Sequence, residues 1–195
     1  MAEVAVPSSC AVALKEWASV LAAMERGEQL ILIRKGGLIE PGSGFELVAP
    51  SFVFYPTFEH QTVNYLRPAY QRSFEEVLRT RPDQGSLRLS LFGIAASSSQ
   101  CHDPAVIGRL RPFHIYNEVF LHQRLKWQPD QPLVIVVVRA FQLAAPQLLP
   151  LAPHYAGCKS WVDLVSPVPL DGARPVLDDA TFQQRAREIT ALLAP

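Results

Sequence analysis

Apolar and polar positions along the chain change rhythm several times, and each change marks an element. Leu14, Trp17, Leu21 and Met24 recur at helical spacing, which predicts an amphipathic helix over Ala11 to Arg26, stopped by Gly27. Leu30 to Ile33 then reads as a buried strand. Gly36-Gly37 and Gly42-Ser43-Gly44 mark turns, with short strands expected at Leu38-Ile39 and Phe45 to Val48. Phe52 to Tyr55 is another apolar run, closed by Pro56. From Thr62 to Thr80, the positions Val63, Leu66, Tyr70, Phe74, Val77 and Leu78 keep a helical beat, with Pro68 in the first turn or at a kink.

Arg81 to Gly85 is a loop, and Leu87 to Leu91 alternates as a half-buried strand does. That strand is expected to run to Ile94 and end at Ser97-Ser98-Ser99. Asp103-Pro104 opens a short helix, and Tyr116 to Leu125 predicts another. Leu133 to Phe141 is nearly continuous and β-branched, the composition of a central strand covered on both faces. Prolines from Pro146 to Pro153 limit further pairing, Trp161 to Val165 predicts a last strand, and Asp179 to Leu193 a last helix. Strands and helices do not alternate regularly and no repeat is present. The expected fold is therefore α+β: a tail over residues 1–10, then a single domain over 11–195, with a mixed or barrel-like sheet packed by several helices.

Composition narrows the partners. The chain has 195 residues, 49% hydrophobic and 18% charged, enough to bury about 70% of its unfolded surface. The formal net charge is zero, which argues against an unspecific phosphate binder and leaves room for a local basic face. Cys10, Cys101 and Cys158 are widely spaced and odd in number, the pattern of reduced cytosolic thiols. The N-terminus shows no signal-peptide pattern, and the longest strongly apolar stretch, Leu133 to Val138, is too short for a bilayer. A cytoplasmic location with no membrane partner is expected.

Four places carry candidate chemistry. Arg34-Lys35-Gly36-Gly37 sets two cations and open backbone at a strand end, as an anion site would; a charged turn exposed to water is the plainer alternative. Tyr55, Thr57, His60 and Gln61 gather stacking and hydrogen-bonding groups on one loop, or simply form a helix entry capped near Thr57. Asn117, Glu118, His122, Arg124, Lys126 and Trp127 form a polar cluster. Its Glu118/His122 pair fits a surface ion pair better than a metal site. Gly157 to Trp161 sets Cys158 beside Lys159 and Ser160, but neighbours on a strand point to opposite faces, so adjacency does not assemble a catalytic pair. No GxxxxGK[ST] or GxGxxG occurs, no metal-ligand spacing is present, and no cofactor is expected. The central strand ends in Val138-Arg139-Ala140 and lacks the acidic pattern of a metal-dependent nuclease.

Five segments together carry a resemblance. Ala13-Leu14-Lys15-Glu16-Trp17, Arg34-Lys35-Gly36-Gly37, Tyr55-Pro56-Thr57 with His60-Gln61, Asn117-Glu118-Val119-Phe120 and Gly157 to Val162 resemble, in this order, a bacterial domain of unknown function family numbered 1802. The likeness runs from about Ala11 to Leu192. It implies an association with Mrr-type restriction endonuclease domains, hence with restriction and modification. A second likeness is local: helix, Gly27-Glu28, strand, Arg34-Lys35 resembles the opening of PUA-like ASCH and EVE domains, which bind RNA or modified DNA bases.

The leading expectation is a nucleic-acid-binding module with DNA or RNA and a restriction endonuclease as partners. Arg34, Lys35, His60 and Gln61 would face the ligand, Trp127 or Trp161 would stack on a base, and Gly36, Gly37, Tyr55, Thr57 and Lys159 would complete the site. If so, Arg34, Lys35, Tyr55, His60 and Lys159 share one concave surface. The alternatives are a small hydrolase or nuclease using His60, Glu118 or Cys158, and a subunit acting only by protein contact. Trp17, Ile31, Ile33, Ile135 and Val137 are expected deep in the core.

Overall fold

The computed structural model describes residues 5–35, 45–82 and 85–194. The elements along the chain are β1 (Ser9–Trp17), α1 (Ala18–Glu25), β2 (Ile31–Arg34), β3 (Ser51–Thr57), α2 (Gln71–Leu78), β4 (Ser86–Cys101), α3 (Pro104–Arg109), α4 (Glu118–Lys126), β5 (Leu133–Pro150), β6 (Trp161–Pro169), β7 (Arg174–Pro175) and α5 (Asp179–Leu193). Among the described residues, seven strands form one mixed sheet in the order β2-β5-β4-β3-β1-β6, with β7 also pairing β5. β1 and β3 run parallel, and the other pairs are antiparallel. The α+β class is as the sequence predicts. The sheet is open, so the barrel alternative is not the architecture formed.

The first predicted helix is corrected. Its N-terminal half is β1, and the helix begins only at Ala18. Alanine, leucine, lysine and glutamate are good helix formers, but here tertiary pairing overrides propensity. β1 lies between β3 and β6, and its consecutive residues Ala13 and Leu14 are both fully buried, one in each of two hydrophobic clusters. Ser9 and Cys10 belong to this strand, so the sheet starts inside the expected tail. Gly27 ends the helical turn at a φ of 68°, and its missing side chain leaves room for Leu177.

Residues 62–80 are the second correction. Two 3-10 turns, Val63–Tyr65 and Pro68–Tyr70, precede α2. Pro68 keeps Arg67 extended, and the chain there pairs with another segment instead: Leu66 bridges Tyr116, and the Arg67 N–H donates to the Ile115 carbonyl at 3.0 Å. Phe45 to Val48 forms no strand; Phe45 is a buried ring stacked on Trp161. The expected strand at Leu38-Ile39 and the turns at 36–37 and 42–44 lie outside the described residues.

β4 and β5 are longer than predicted. The serines do not end β4: Ser97, Ser98 and Ser99 pair with Val137, Val136 and Ile135. β5 runs on to Pro150, because Pro146 falls in the irregular stretch between the pairs Leu91↔Gln142 and Leu89↔Gln147, where no ladder donor is needed. These long strands let the sheet serve two hydrophobic clusters. One holds Leu14, Phe52, Phe54 and Ile135 under the helices; the other holds Val53, Phe92, Phe141 and Leu164 on the opposite side. Ile31, Ile33, Ile135 and Val137 are buried as expected, whereas Trp17 is only half-buried at the rim of the first cluster.

Gly93 sits where three side chains close on the sheet. A Cβ there would stand 2.8 Å from Phe54, 2.9 Å from Val138 and 3.0 Å from Phe52. Gly93→Ala is therefore expected to cost about 1–3 kcal/mol by overpacking, read as a lower urea midpoint with an unchanged slope. An unaltered midpoint would show that the rings move aside freely.

Candidate functional site

The open sheet curls until the end of β2 comes back to the end of β1. The Arg34 guanidinium crosses that gap: it donates to Glu16 Oε2 at 3.2 Å and to the Lys15 carbonyl at 2.8 Å. Glu16 is 5% exposed and also accepts from the Trp17 N–H at 2.7 Å. Beside this pair lies a cleft of about 560 Å³. The C-terminal ends of β1, β2 and β3 supply one side of it. α4 with Trp127 and the segment 157–160 ahead of β6 supply the others.

Aromatic rings line much of the wall. Trp17 stacks on Tyr65 (6.1 Å, 4° between planes) and meets Phe120 edge-on at 5.5 Å. Tyr116 stacks on Phe120 at 3.9 Å. The charged lining comprises Lys15, Arg34, Lys35, Arg124 and Lys159 against Glu16 and Glu59. Among the described residues, five cations against two carboxylates make a local positive field in a chain whose formal charge is zero.

Each cation is anchored. Lys35 is 2% exposed, and its ammonium donates to the Arg124 and Leu125 carbonyls at 2.8 and 3.0 Å, near the end of α4. Burial, and then the Arg124 charge, lowers the Lys35 pKa. Lys15 Nζ donates to the carbonyls of Tyr155 and Gly157, and its pKa is lowered by burial first and by Lys159 second. Arg124 lies over the Phe120 ring at 5.2 Å, and burial lowers its pKa too. The Tyr116 phenol is pushed well above its ordinary range, by burial first and by Glu16 second, so it stays protonated as a donor.

The structure brings Arg34, Lys35, Thr57, His60, Trp127 and Lys159 to this one cleft, although they are spread along the chain. Three other candidates lie outside its lining. Tyr55 is buried in the second cluster, tilted against Tyr155 at 6.0 Å with Lys15 above its ring. Gln61 points its carboxamide at α1, where Oε1 accepts from the Ser19 N–H at 3.3 Å. Trp161 donates its indole N–H to the Glu46 carbonyl at 3.0 Å and packs on Phe45 and Phe52. Gly36 and Gly37 lie outside the described residues. The exposed-turn alternative for Arg34 and Lys35 is overturned, since both side chains are anchored inside the fold.

Glu118 and His122 are exposed on α4 and do not line the cleft. Among the described residues, no three His, Cys, Asp or Glu side chains converge on a metal position. No helix there is long and apolar enough to cross a membrane. The residues that sequence reasoning passes over are Lys15, Glu16, Trp17, Tyr65, Tyr116 and Phe120. Each falls inside a helix predicted from the one-dimensional pattern; Lys15-Glu16-Trp17 and Phe120 carry a signal only as parts of segments in the family resemblance.

No curated protein and no solved structure matches the chain. A family model, described as "Domain of unknown function (DUF1802)", matches residues 13–188, a span that contains every residue lining the cleft. The chain belongs to the DUF1802 family.

Proposed function

We propose that the cleft binds a nucleotide unit of DNA or RNA, its base against the aromatic wall and its phosphate on the cationic rim. The observation that carries this reading is the convergence of five cations and a set of aromatic faces in one concavity. Stacking tolerates any base and cations take any phosphate, so the arrangement suits an extruded or single-stranded nucleotide. A concave lining of this kind also favours a ligand over a flat protein contact. The three cysteines are unpaired, which fits a reducing cytoplasm. The restriction link implied by the resemblance belongs to the same proposal: the recognised nucleic acid would be the substrate of an endonuclease partner.

The test is anisotropy with labelled single-stranded DNA, single-stranded RNA and duplex DNA at about 50 and 200 mM salt. Affinity is expected to fall with salt, and Lys159→Ala to reduce the slope by about 1. Trp127→Ala should weaken binding at both salts and leave the slope alone, because stacking releases no counterions. No affinity for any of the three probes at the lower salt would end this reading.

A further inference from the structure

Cys158 is the exposed member of three free thiols; Cys10 and Cys101 are buried. It lines the cleft, and its Sγ stands 3.9 Å from Nε2 of His60. The two residues come from different parts of the chain, the loop after β3 and the loop before β6. His60 holds its ring there from a left-handed backbone, φ 61°. Lys15 fastens the thiol loop through the Tyr155 and Gly157 carbonyls, and Lys159 does so through the His154 carbonyl. Two ammonium groups are thereby tied to the segment that carries the sulfur, and Lys15 lies within electrostatic reach of Cys158. Lys15 feels the charges of Lys159, Glu59 and Cys158, so these four groups and His60 form one cluster.

We propose that Cys158 and His60 are a thiol nucleophile and its base, acting on carboxylic acyl groups (esters or thioesters) at the mouth of the cleft. The proposal rests on the nucleotide reading only for what carries the acyl group. His60 Nε2 takes the thiol proton as Sγ attacks the carbonyl carbon and the C=O electron pair moves to oxygen. The ammonium groups of Lys15 and Lys159, held on the same loop, supply the positive charge that offsets the oxyanion. Its collapse breaks the bond to the leaving group, which takes the proton from the imidazolium, and leaves a Cys158 thioester. Water, giving its proton to His60, then attacks the thioester carbon; the C–S bond breaks and the thiol is restored, with no change of oxidation state. The 3.9 Å separation is a loose thiol–imidazole contact, of the kind that tightens when a ligand fills the site.

The experiment uses p-nitrophenyl acetate as acyl probe and iodoacetamide as thiol probe on the folded chain. Wild type is expected to release a burst of p-nitrophenolate and to carry an acetyl group on Cys158 by mass spectrometry. Cys158→Ser should show neither. His60→Gln should slow acylation by about 100-fold and change the pH profile of Cys158 alkylation between about pH 5 and 9. Glu59, Lys15, Lys159 and His154 are the other titratable groups around the pair, and they remain in place in that variant. An absent adduct in wild type, or an unchanged rate in His60→Gln, overturns the proposal. Acylation without nucleic-acid affinity would sustain the thiol pair and remove the nucleotide reading; affinity without acylation would do the reverse.

Discussion

Arg34→Ala is expected to destabilise the protein by about 3 kcal/mol or more, because it strands a carboxylate inside the fold. Glu16 is 5% exposed, and the Arg34 side chain 15%, so water reaches little of the pair. Removing the guanidinium leaves Glu16 Oε2 and the Lys15 carbonyl without their donors. It also removes the cation that lies 5.2 Å from the Phe45 ring and the bond that ties β2 to β1 across the open side of the sheet. The loss should appear as a lower urea midpoint in the unliganded protein. Adding Glu16→Gln to Arg34→Ala should recover part of it, since a buried neutral amide costs less than a buried lone charge. A loss below about 1 kcal/mol would mean that Glu16 finds water or another cation when Arg34 is gone. For the same reason, a double replacement of Arg34 and Lys35 mixes folding with binding, and Lys159 and Trp127 are the cleaner probes of the cleft.

That result turns on a distinction that one dimension does not carry. Arg-Lys-Gly-Gly has the composition of a solvated turn, and exposed turn charges contribute little to stability. What decides otherwise is the curl of the sheet, which brings β1 and α4 against the end of β2. Elements whose apolar rhythm is set by their own neighbours were legible: α5 from Asp179 to Leu193, α4 near 116–126, and β5 from Leu133. Elements decided by distant pairing were not. β1 looks helical because Leu14 and Trp17 continue the helical beat of Leu21 and Met24, while its burial on both faces, with Leu14 in one cluster and Ala13 in the other, erases the alternation that marks a strand. The prolines of β5 look like a terminator until the irregular register at Pro146 is seen. In the cleft, the polar outliers Arg34, Lys35, Thr57, His60, Trp127 and Lys159 were visible as unusual residues at element ends. Glu16, Tyr65, Tyr116 and Phe120 were hidden among residues that make ordinary helical stripes.

Lowering the pH from 7 to about 4.5 is expected to cost the protein about 2–3 kcal/mol through one imidazole, His114. The residue is 0% exposed, and its pKa is pushed down from 6.5 to about 3, by burial first and then by the Arg67 and Arg111 charges. Its Nδ1 accepts the Tyr116 N–H at 3.2 Å, and its ring packs against Tyr116, a wall residue of the cleft. A proton on that nitrogen would break the bond and set a third cation beside two arginines. The sign follows from the direction of the shift. The folded pKa lies below the unfolded one, so the unfolded chain binds the proton more readily. The contribution is fully present above about pH 6.5 and is lost as pH falls toward about 3. His114→Asn keeps a side-chain acceptor near the Tyr116 N–H and removes the titration. Urea unfolding at both pH values should then show a smaller acid loss in the variant than in wild type, by about 2–3 kcal/mol, while the carboxylates contribute alike to both. Equal acid losses in the two proteins would mean that His114 gains access to water or to an acceptor. In that event its ring could not be what fixes the backbone at Tyr116, on which this wall of the cleft rests.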